Sequence, residues 1–503
     1  MREDIFHSTR PDGYENPMPR KHKRRQKSEE QKALDRAHWL SEDLMLEAGW
    51  ITNVAEELLQ TLYEHSKPVR RQVAKHLPQL ELLILNLLKA NQDRDGLMIV
   101  PFRPAAYGDT PTFRVTKQHH IDTLIEMGWL DLKKGYRAAE GSRRSRVNIL
   151  LPLRDWLRPY DSYAVQIDRK APKTAVFVKD DNKETIVPPT SMENQIAIYE
   201  EELRSINHIL ERTSIDLFIN DHEVEELNDR MSDKAEADPF QQFKLDLTQR
   251  YLKRVFNNSS LEQGGRFYGA WWQSIPSEYR PLISLNGDYV VELDYSTIHM
   301  HLLYALSKAT CPLDDHYVFG RLTKDFRSQT KKMMNILINA KSEESAIRAA
   351  KDQELFKAGL PEGIDTIEAY VEQIYSYHEP IKKYFGTGYG VHLQFLDSQI
   401  AMKVMQRMYP EPCLPVHDSF VVRTRQEKKL NQIMNEEFTA LTGVKAGIKS
   451  ESLEVTAERK IIIDEMMDDE LSDYSLRLSN WRKKYNWKYF AEGGERSDKP
   501  FKD

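Results

Sequence analysis

The stretch VVELDYSTIHMHLLYAL, Val290 to Leu306, decides how this 503-residue chain is read. Its first half is β-prone, and its second half carries apolar residues at helical spacing. A strand therefore ends at Asp294 and a helix begins almost at once, with Ser296 expected as its N-cap. Asn286-Gly287 bounds the strand on its other side. Asp294 then sits at the carboxyl end of a strand, where side chains reach a cleft. A second aspartate has similar flanks far downstream, in LPVHDSFVV, Leu414 to Val422. Two β-prone runs flank His417, Asp418 and Ser419, which predicts a tight hairpin with Asp418 at its tip.

Two carboxylates, each flanked by apolar runs, repel one another if they are packed together without a counter-cation. Mg²⁺ is the expected ion, with Mn²⁺ as its substitute, because it takes oxygen ligands and keeps positions for water and phosphate. Two such ions, about 3.5–4 Å apart, activate an attacking hydroxyl and stabilise a leaving pyrophosphate. Phosphoryl or nucleotidyl transfer is the chemistry this pair points to. Between the aspartates lies RSQTKKMMNILINA, Arg327 to Ala340, with Arg327, Lys331 and Lys332 on nearly one helical face. Those are the cations a nucleoside triphosphate requires. Upstream, GGRFYGAWWQSIPSEYR places Tyr268, Trp271 and Trp272 where one ring can stack on a base and at least two are expected in the core.

Taken in order across residues 257–423, these blocks resemble the right-hand palm of the family A DNA polymerases and of the phage and mitochondrial single-subunit RNA polymerases. Asp294-Tyr295-Ser296 is similar to motif A. That likeness implies that Asp294 binds both metals and that Tyr295 lends its backbone carbonyl. Arg327 and Lys331 have the spacing of motif B, which implies a grip on the triphosphate, and Lys331 is expected to protonate the leaving group. His417-Asp418 resembles motif C, with Asp418 the second metal carboxylate and His417 near the primer end. Arg266 falls in a Gly-Arg block that implies template or primer contact, and Gln394 falls where a glutamine faces the primer-template minor groove.

The match has departures. Asn335 stands at the aromatic position of motif B, and Asn339-Ala340 replace its Tyr-Gly. His299 stands where the DNA polymerases carry a glutamate that helps exclude a 2′-hydroxyl. With both gate elements changed, His299, Asn335 and Asn339 are assigned to nucleotide binding, and tolerance of ribonucleotides is expected. The resemblance implies an α+β fold with a right-hand palm, helical fingers and thumb, preceded by a winged-helix-like domain. The expected activity is a compact, non-proofreading, Mg²⁺-dependent DNA-dependent DNA polymerase or primase-polymerase, whose partners are template-primer DNA and nucleoside triphosphates. The alternatives are a single-subunit RNA polymerase, a non-templated nucleotidyltransferase, and an inactive winged-helix DNA-binding replication protein.

The composition, 40% hydrophobic and 30% charged residues, is expected of an ordinary soluble globular protein. The formal net charge of −6 argues against a surface that is basic throughout, so the distribution of charge matters more than its sum. Basic residues gather at Arg20–Lys27, Lys133–Arg146 and Trp481–Lys488. No apolar run reaches the ~18 residues of a membrane span, and the start has no apolar core of a signal peptide. Two cysteines, Cys311 and Cys413, form no CxxC pair and no zinc spacing, as suits a reducing cytoplasm.

Residues 1–30 are expected to be a disordered basic tail. Over residues 31–160, a helix from Leu77 is followed by a second from Thr116 to Met127, with Thr116 as N-cap, and then by a hairpin. This order resembles a winged helix, whose second helix would enter a DNA groove. Lys133, Lys134, Arg143, Arg144 and Arg146 would hold phosphate on its wing. Residues 161–256 are expected as a polar connection at 176–191, a packing helix with Ile196, Tyr199, Leu203, Ile206 and Leu210 on one stripe, an acidic loop at 220–239, and a further helix at 240–256. These helices are the thumb candidates. The palm and fingers occupy 257–460, and 461–503 is an acidic, then basic-aromatic, tail.

Overall fold

The computed structural model describes residues 34, 36–46, 49–65, 73–92, 95–100, 120–138, 141–143, 145–234, 244–312, 315–357, 359–451 and 472–484. The first unit begins with strands β1 (His38–Trp39) and β2 (Leu44–Met45), then helices α1 (Trp50–His65) and α2 (Val73–Asn91). Helix α1 buries Ile51, Val54, Ala55, Leu58, Leu59 and Leu62, a stripe with the 3–4 residue spacing of one helical face. It packs on α2, where Leu80, Leu83, Ile84, Leu87 and Leu88 are buried. Strand β3 (Leu97–Ile99), the short helix α3 (Asp122–Glu126), β4 (Leu130–Lys133), β5 (Tyr136–Ala138), β6 (Gly141–Arg143) and β7 (Arg146–Ile149) follow. The sheet order is β1-β3-β7-β4, and β5 pairs with β6 as a ribbon that extends the hairpin.

The hairpin at 130–149 is thus present, and Lys133 and Lys134 are exposed on it. Arg146 departs from expectation. It is buried, and its Nε donates to the Leu34 carbonyl at 2.5 Å, so it ties the sheet to the chain before β1 and is not a wing cation. Thr116, Arg144 and the Arg143 side chain lie outside the described residues.

After α4 (Leu151–Leu157), β8 (Asp168–Arg169) pairs with β2. The expected polar connection instead opens with strand β9 (Val176–Val178), whose two valines are buried. Helix α5 (Thr190–Glu211) carries the expected stripe, with Tyr199, Leu203, Ile206 and Leu210 buried. Strand β10 (Ile215–Leu217) leads to α6 (Asp221–Lys234), which replaces the expected acidic loop. The residues that decide this are Leu227 and Met231, buried one turn apart in the main core with Val224 beside them. The expected helix at 240–256 is also overturned. Its last residues form β11 (Lys253–Phe256), antiparallel to β12 (Gly264–Tyr268) and parallel to β9. Partner strands on both sides satisfy its backbone hydrogen bonds and override local helical propensity.

The central sheet runs β10, β13 (Ile283–Leu285), β14 (Asp288–Tyr295), then β16 (Ser419–Arg423) and β15 (Leu414–Val416). Strand β17 (Ile448–Glu451) joins β14 beyond the reach of β13. Asn286 and Gly287 both have positive φ (+59° and +88°), as a two-residue hairpin turn between β13 and β14 demands. Helices α7 (Ile298–Leu306), α8 (Arg327–Asn339), α9 (Glu343–Asp352), α10 (Ile367–Tyr377), α11 (Gly390–Met408) and α12 (Glu427–Thr442) accompany the sheet, with α11 and α12 packed against its strands. One apolar core joins them to α5 and α6, through residues such as Leu203, Leu293, Leu337, Leu393 and Phe420. Helix α13 (Ser472–Lys484) docks on β13, where Tyr474 meets the Ser284 hydroxyl at 2.8 Å. The helix after Asp294 starts later than expected: its N-cap is Thr297, in the left-handed conformation (φ +57°), and the Ser296 N–H donates to the Gly447 carbonyl at 2.7 Å.

Candidate active site

Strand β14 alternates. Val291, Leu293 and Tyr295 are buried, while Glu292 and Asp294 point to the half-open face between them. Its register with β16 sets Asp294 opposite Ser419, with Glu292 opposite Val421. The Tyr295 N–H donates to the Asp418 carbonyl at 3.3 Å. Asp294 and Asp418 are therefore near neighbours across a strand pair, although their sequence positions are far apart. The turn between β15 and β16 is closed by His417 in the left-handed conformation (φ +57°), and Asp418 sits at its tip as the hairpin pattern predicted. On the other flank the register sets Lys449 opposite Asp294. The Tyr295 side chain goes into the core, its hydroxyl donating to the Met434 carbonyl at 2.7 Å, which leaves only its backbone at the site.

A charge network lies beside the His417–Asp418 turn. Arg266, on β12, is ion-paired to Asp397 of α11: its Nε reaches both carboxylate oxygens at 3.2 Å, and its terminal nitrogen makes a further short contact. His299 Nε2 lies 3.0 Å from the same carboxylate. Burial works against the Arg266 charge, yet Asp397, with help from Asp418, holds its pKa above the ordinary guanidinium value. Desolvation first and Arg266 second push the His417 imidazole below its ordinary pKa. Beside Asp294, the Glu292 carboxylate accepts from Ser419 Oγ at 2.5 Å and from Arg280 Nε at 2.7 Å.

Helix α8 presents Arg327 half-exposed and Lys331 and Asn335 exposed, in helical register. Arg327 donates to Asp315 at 2.5 Å and lies over the Tyr317 ring, 5.4 Å from its centroid. The Tyr317 phenol is pushed up to about 12, mainly by burial, and the Asp418 charge contributes to that rise. The field of Asp418 thus reaches the residue on which Arg327 stacks. Asn339 is exposed and donates to the Asn335 carbonyl at 2.8 Å, with its amide lying over Gly390 at the start of α11. A Cβ at Gly390 would come within 2.1 Å of Asn339 Oδ1, so glycine permits that approach. Gln394 is half-buried on α11, one turn before Asp397. Trp271 and Trp272 are fully buried, and Tyr268 stands edge-on to His417, 6.4 Å between centroids.

Asp397 was not singled out from the sequence, although one signal for it exists. It interrupts the apolar stripe of α11 between Leu393 and Ile400, where a buried carboxylate needs a cationic partner. Glu292 and Lys449 are set beside Asp294 only by strand register.

No protein-family model matches the chain, and no curated protein matches it. Among solved structures it is similar to the POL domain of Pol1 from M. smegmatis in complex with DNA primer-template and dNTP. Identity is 12%, over 82% of this chain and 67% of that one, with a TM-score of 0.30.

Proposed function

We propose that the chain is a template-directed nucleotidyltransferase, a compact DNA polymerase or primase-polymerase, with its active site at Asp294 and Asp418. The observation that carries this reading is the pairing of β14 with β16, which makes those two carboxylate residues neighbours. The donor set fits a hard divalent cation: two half-buried carboxylates and the Tyr295 backbone carbonyl are all oxygen ligands. Magnesium held there supplies the charge that activates a 3′-hydroxyl and neutralises a departing pyrophosphate.

The other residues bind, orient and move protons. Arg327 and Lys331 hold the β- and γ-phosphates, and Lys331 delivers a proton to the leaving group. His417 orients the primer end beside Asp418. Arg266 and Gln394 line the template-primer side, Arg266 with its charge already set by Asp397. His299, Asn335 and Asn339 face the sugar and admit ribose. Residues 31–160 act as a winged-helix-like module on duplex DNA through Lys133, Lys134, Arg143 and Arg144.

A template offered dNTPs and rNTPs in separate reactions, with and without primer, tests the reading. Complement-directed, magnesium-dependent addition is expected. Addition that ignores the template would make the chain a tailing transferase, and no addition would leave it a nucleic-acid binder.

A further inference from the structure

We propose that His301, Cys311 and His316 bind a zinc ion, at a site separate from the Asp294–Asp418 pair. Their ligating atoms, one per residue, lie within 4.8 Å of one another. The Cys311 Sγ to His316 Nε2 distance is 3.8 Å. In a tetrahedral zinc site, bond lengths of about 2.0–2.3 Å put neighbouring ligand atoms roughly 3.3–3.7 Å apart. One edge already has nearly that length, and the remaining edges, no longer than 4.8 Å, need a closure of at most roughly 1.5 Å.

The ligand chemistry selects the metal. Two imidazoles and a thiolate suit zinc, whereas magnesium requires oxygen donors. The surroundings orient the His301 ring as an outer shell does. His301 Nδ1 lies 3.2 Å from the Thr297 carbonyl, so that nitrogen carries the proton and Nε2 keeps its lone pair. The His316 carbonyl accepts from His378 Nε2 at 2.9 Å, and His378 Nδ1 meets the Tyr304 hydroxyl at 2.9 Å. His316 is 4% exposed, and its Nδ1 has no hydrogen-bond partner among the described residues. His301 and Cys311 are half-buried, which leaves a route for an ion.

Three protein ligands leave the fourth position to water. On binding, the Cys311 thiol gives its proton to solvent and its sulfur bonds the metal. The ion would staple the first turn of α7 to the segment before α8. Asp315, which holds Arg327, lies on that segment. The sequence conceals the site because one cysteine and two histidines at this spacing match no common zinc motif.

The test uses the full chain, stripped with a chelator and titrated with Co²⁺ and then Zn²⁺ in excess Mg²⁺. One equivalent of cobalt is expected to give a thiolate-to-metal charge-transfer band that zinc abolishes, and zinc should raise the thermal midpoint. With only two cysteines, the band is assignable: Cys311→Ser should lose it and Cys413→Ser should keep it. If Cys311→Ser does not fold, His301→Gln should weaken cobalt affinity at least about tenfold. No band in the wild type, a band that survives Cys311→Ser, or unchanged affinity in His301→Gln overturns the proposal. None of these readouts depends on nucleotide incorporation, so the site and the polymerase reading stand or fall separately.

Discussion

Arg266 and Asp397 are ion-paired across the interface between β12 and α11, 131 residues apart in sequence. Asp397 is 2% exposed at its side chain and Arg266 17%, so neither charge is well solvated alone. Asp397→Ala leaves a guanidinium without its partner, and the expected loss is ~3–5 kcal/mol of unfolding free energy. Urea titration reads this directly. Arg266→Met combined with Asp397→Leu should recover most of it, and a single-variant cost below ~1 kcal/mol would show that water replaces the pair.

Asp294→Asn and Asp418→Asn each remove one of the two carboxylate charges proposed to hold metal, with little change in side-chain volume. Each is expected to lower magnesium-dependent incorporation by at least about 100-fold, since even outer-shell partners of a metal cost 10–100-fold. Circular dichroism should be unchanged. Retained activity in either variant removes the proposed site.

The Arg327–Asp315 pair is about two-fifths exposed on both sides, at 41% and 38%. Pairs so open contribute at most ~1 kcal/mol, so a triphosphate can compete for the guanidinium. Asp315→Ala is expected to lower the KM for nucleotide by no more than about fivefold, with kcat unchanged. Arg327→Ala should raise KM. Steady-state extension kinetics separate the two, and a higher KM in Asp315→Ala would mean that the pair positions Arg327 for binding.

Gly390→Ala places a methyl against the Asn339 amide, 2.7 Å from its Cγ. The amide must swing away and lose its bond to the Asn335 carbonyl. If Asn339 reads the sugar, the ribo-to-deoxy incorporation ratio of Gly390→Ala should shift in the same direction as that of Asn339→Ala. Competition assays on one template measure it, and an unchanged ratio in both variants removes Asn339 from sugar selection.

His38 is buried, with Nε2 3.0 Å from Asn86 Oδ1, and desolvation first and Lys244 second push its pKa down to about 3. The folded state therefore resists a proton that the unfolded chain accepts from pH 6.5 downward. Its stability contribution is fully present above pH 6.5 and is lost as the pH falls toward 3. Between pH 6.5 and about pH 4.5 the expected loss is ~2–3 kcal/mol. The urea midpoint should fall across that range, and His38→Gln should flatten the fall.

The elements legible in the sequence are those whose signal is local. The junction at Asp294 was readable because alternation along β14 and the Asn286-Gly287 turn are written in consecutive residues. The hairpin at Asp418 was readable for the same reason, as were the helix from Leu77 and the stripe of α5. Where local signal conflicted with partners, the reading failed. Residues 253–256 pattern as helix but pair as a strand, and 221–234 are acidic enough to pattern as loop, yet Leu227 and Met231 hold them helical against the core.

Sequence alone determined the strand end at Asp294 and the tight turn at Asp418, because residue type and short-range period suffice for that. Tertiary structure alone decided which charges meet: Arg266 with Asp397, Glu292 with Arg280, Arg327 with Asp315, and Arg146 with the backbone of Leu34. A side chain's partner depends on strand register and helix packing across more than a hundred residues in some of these cases. Coulomb attraction and desolvation act on distance in space, which chain position does not specify.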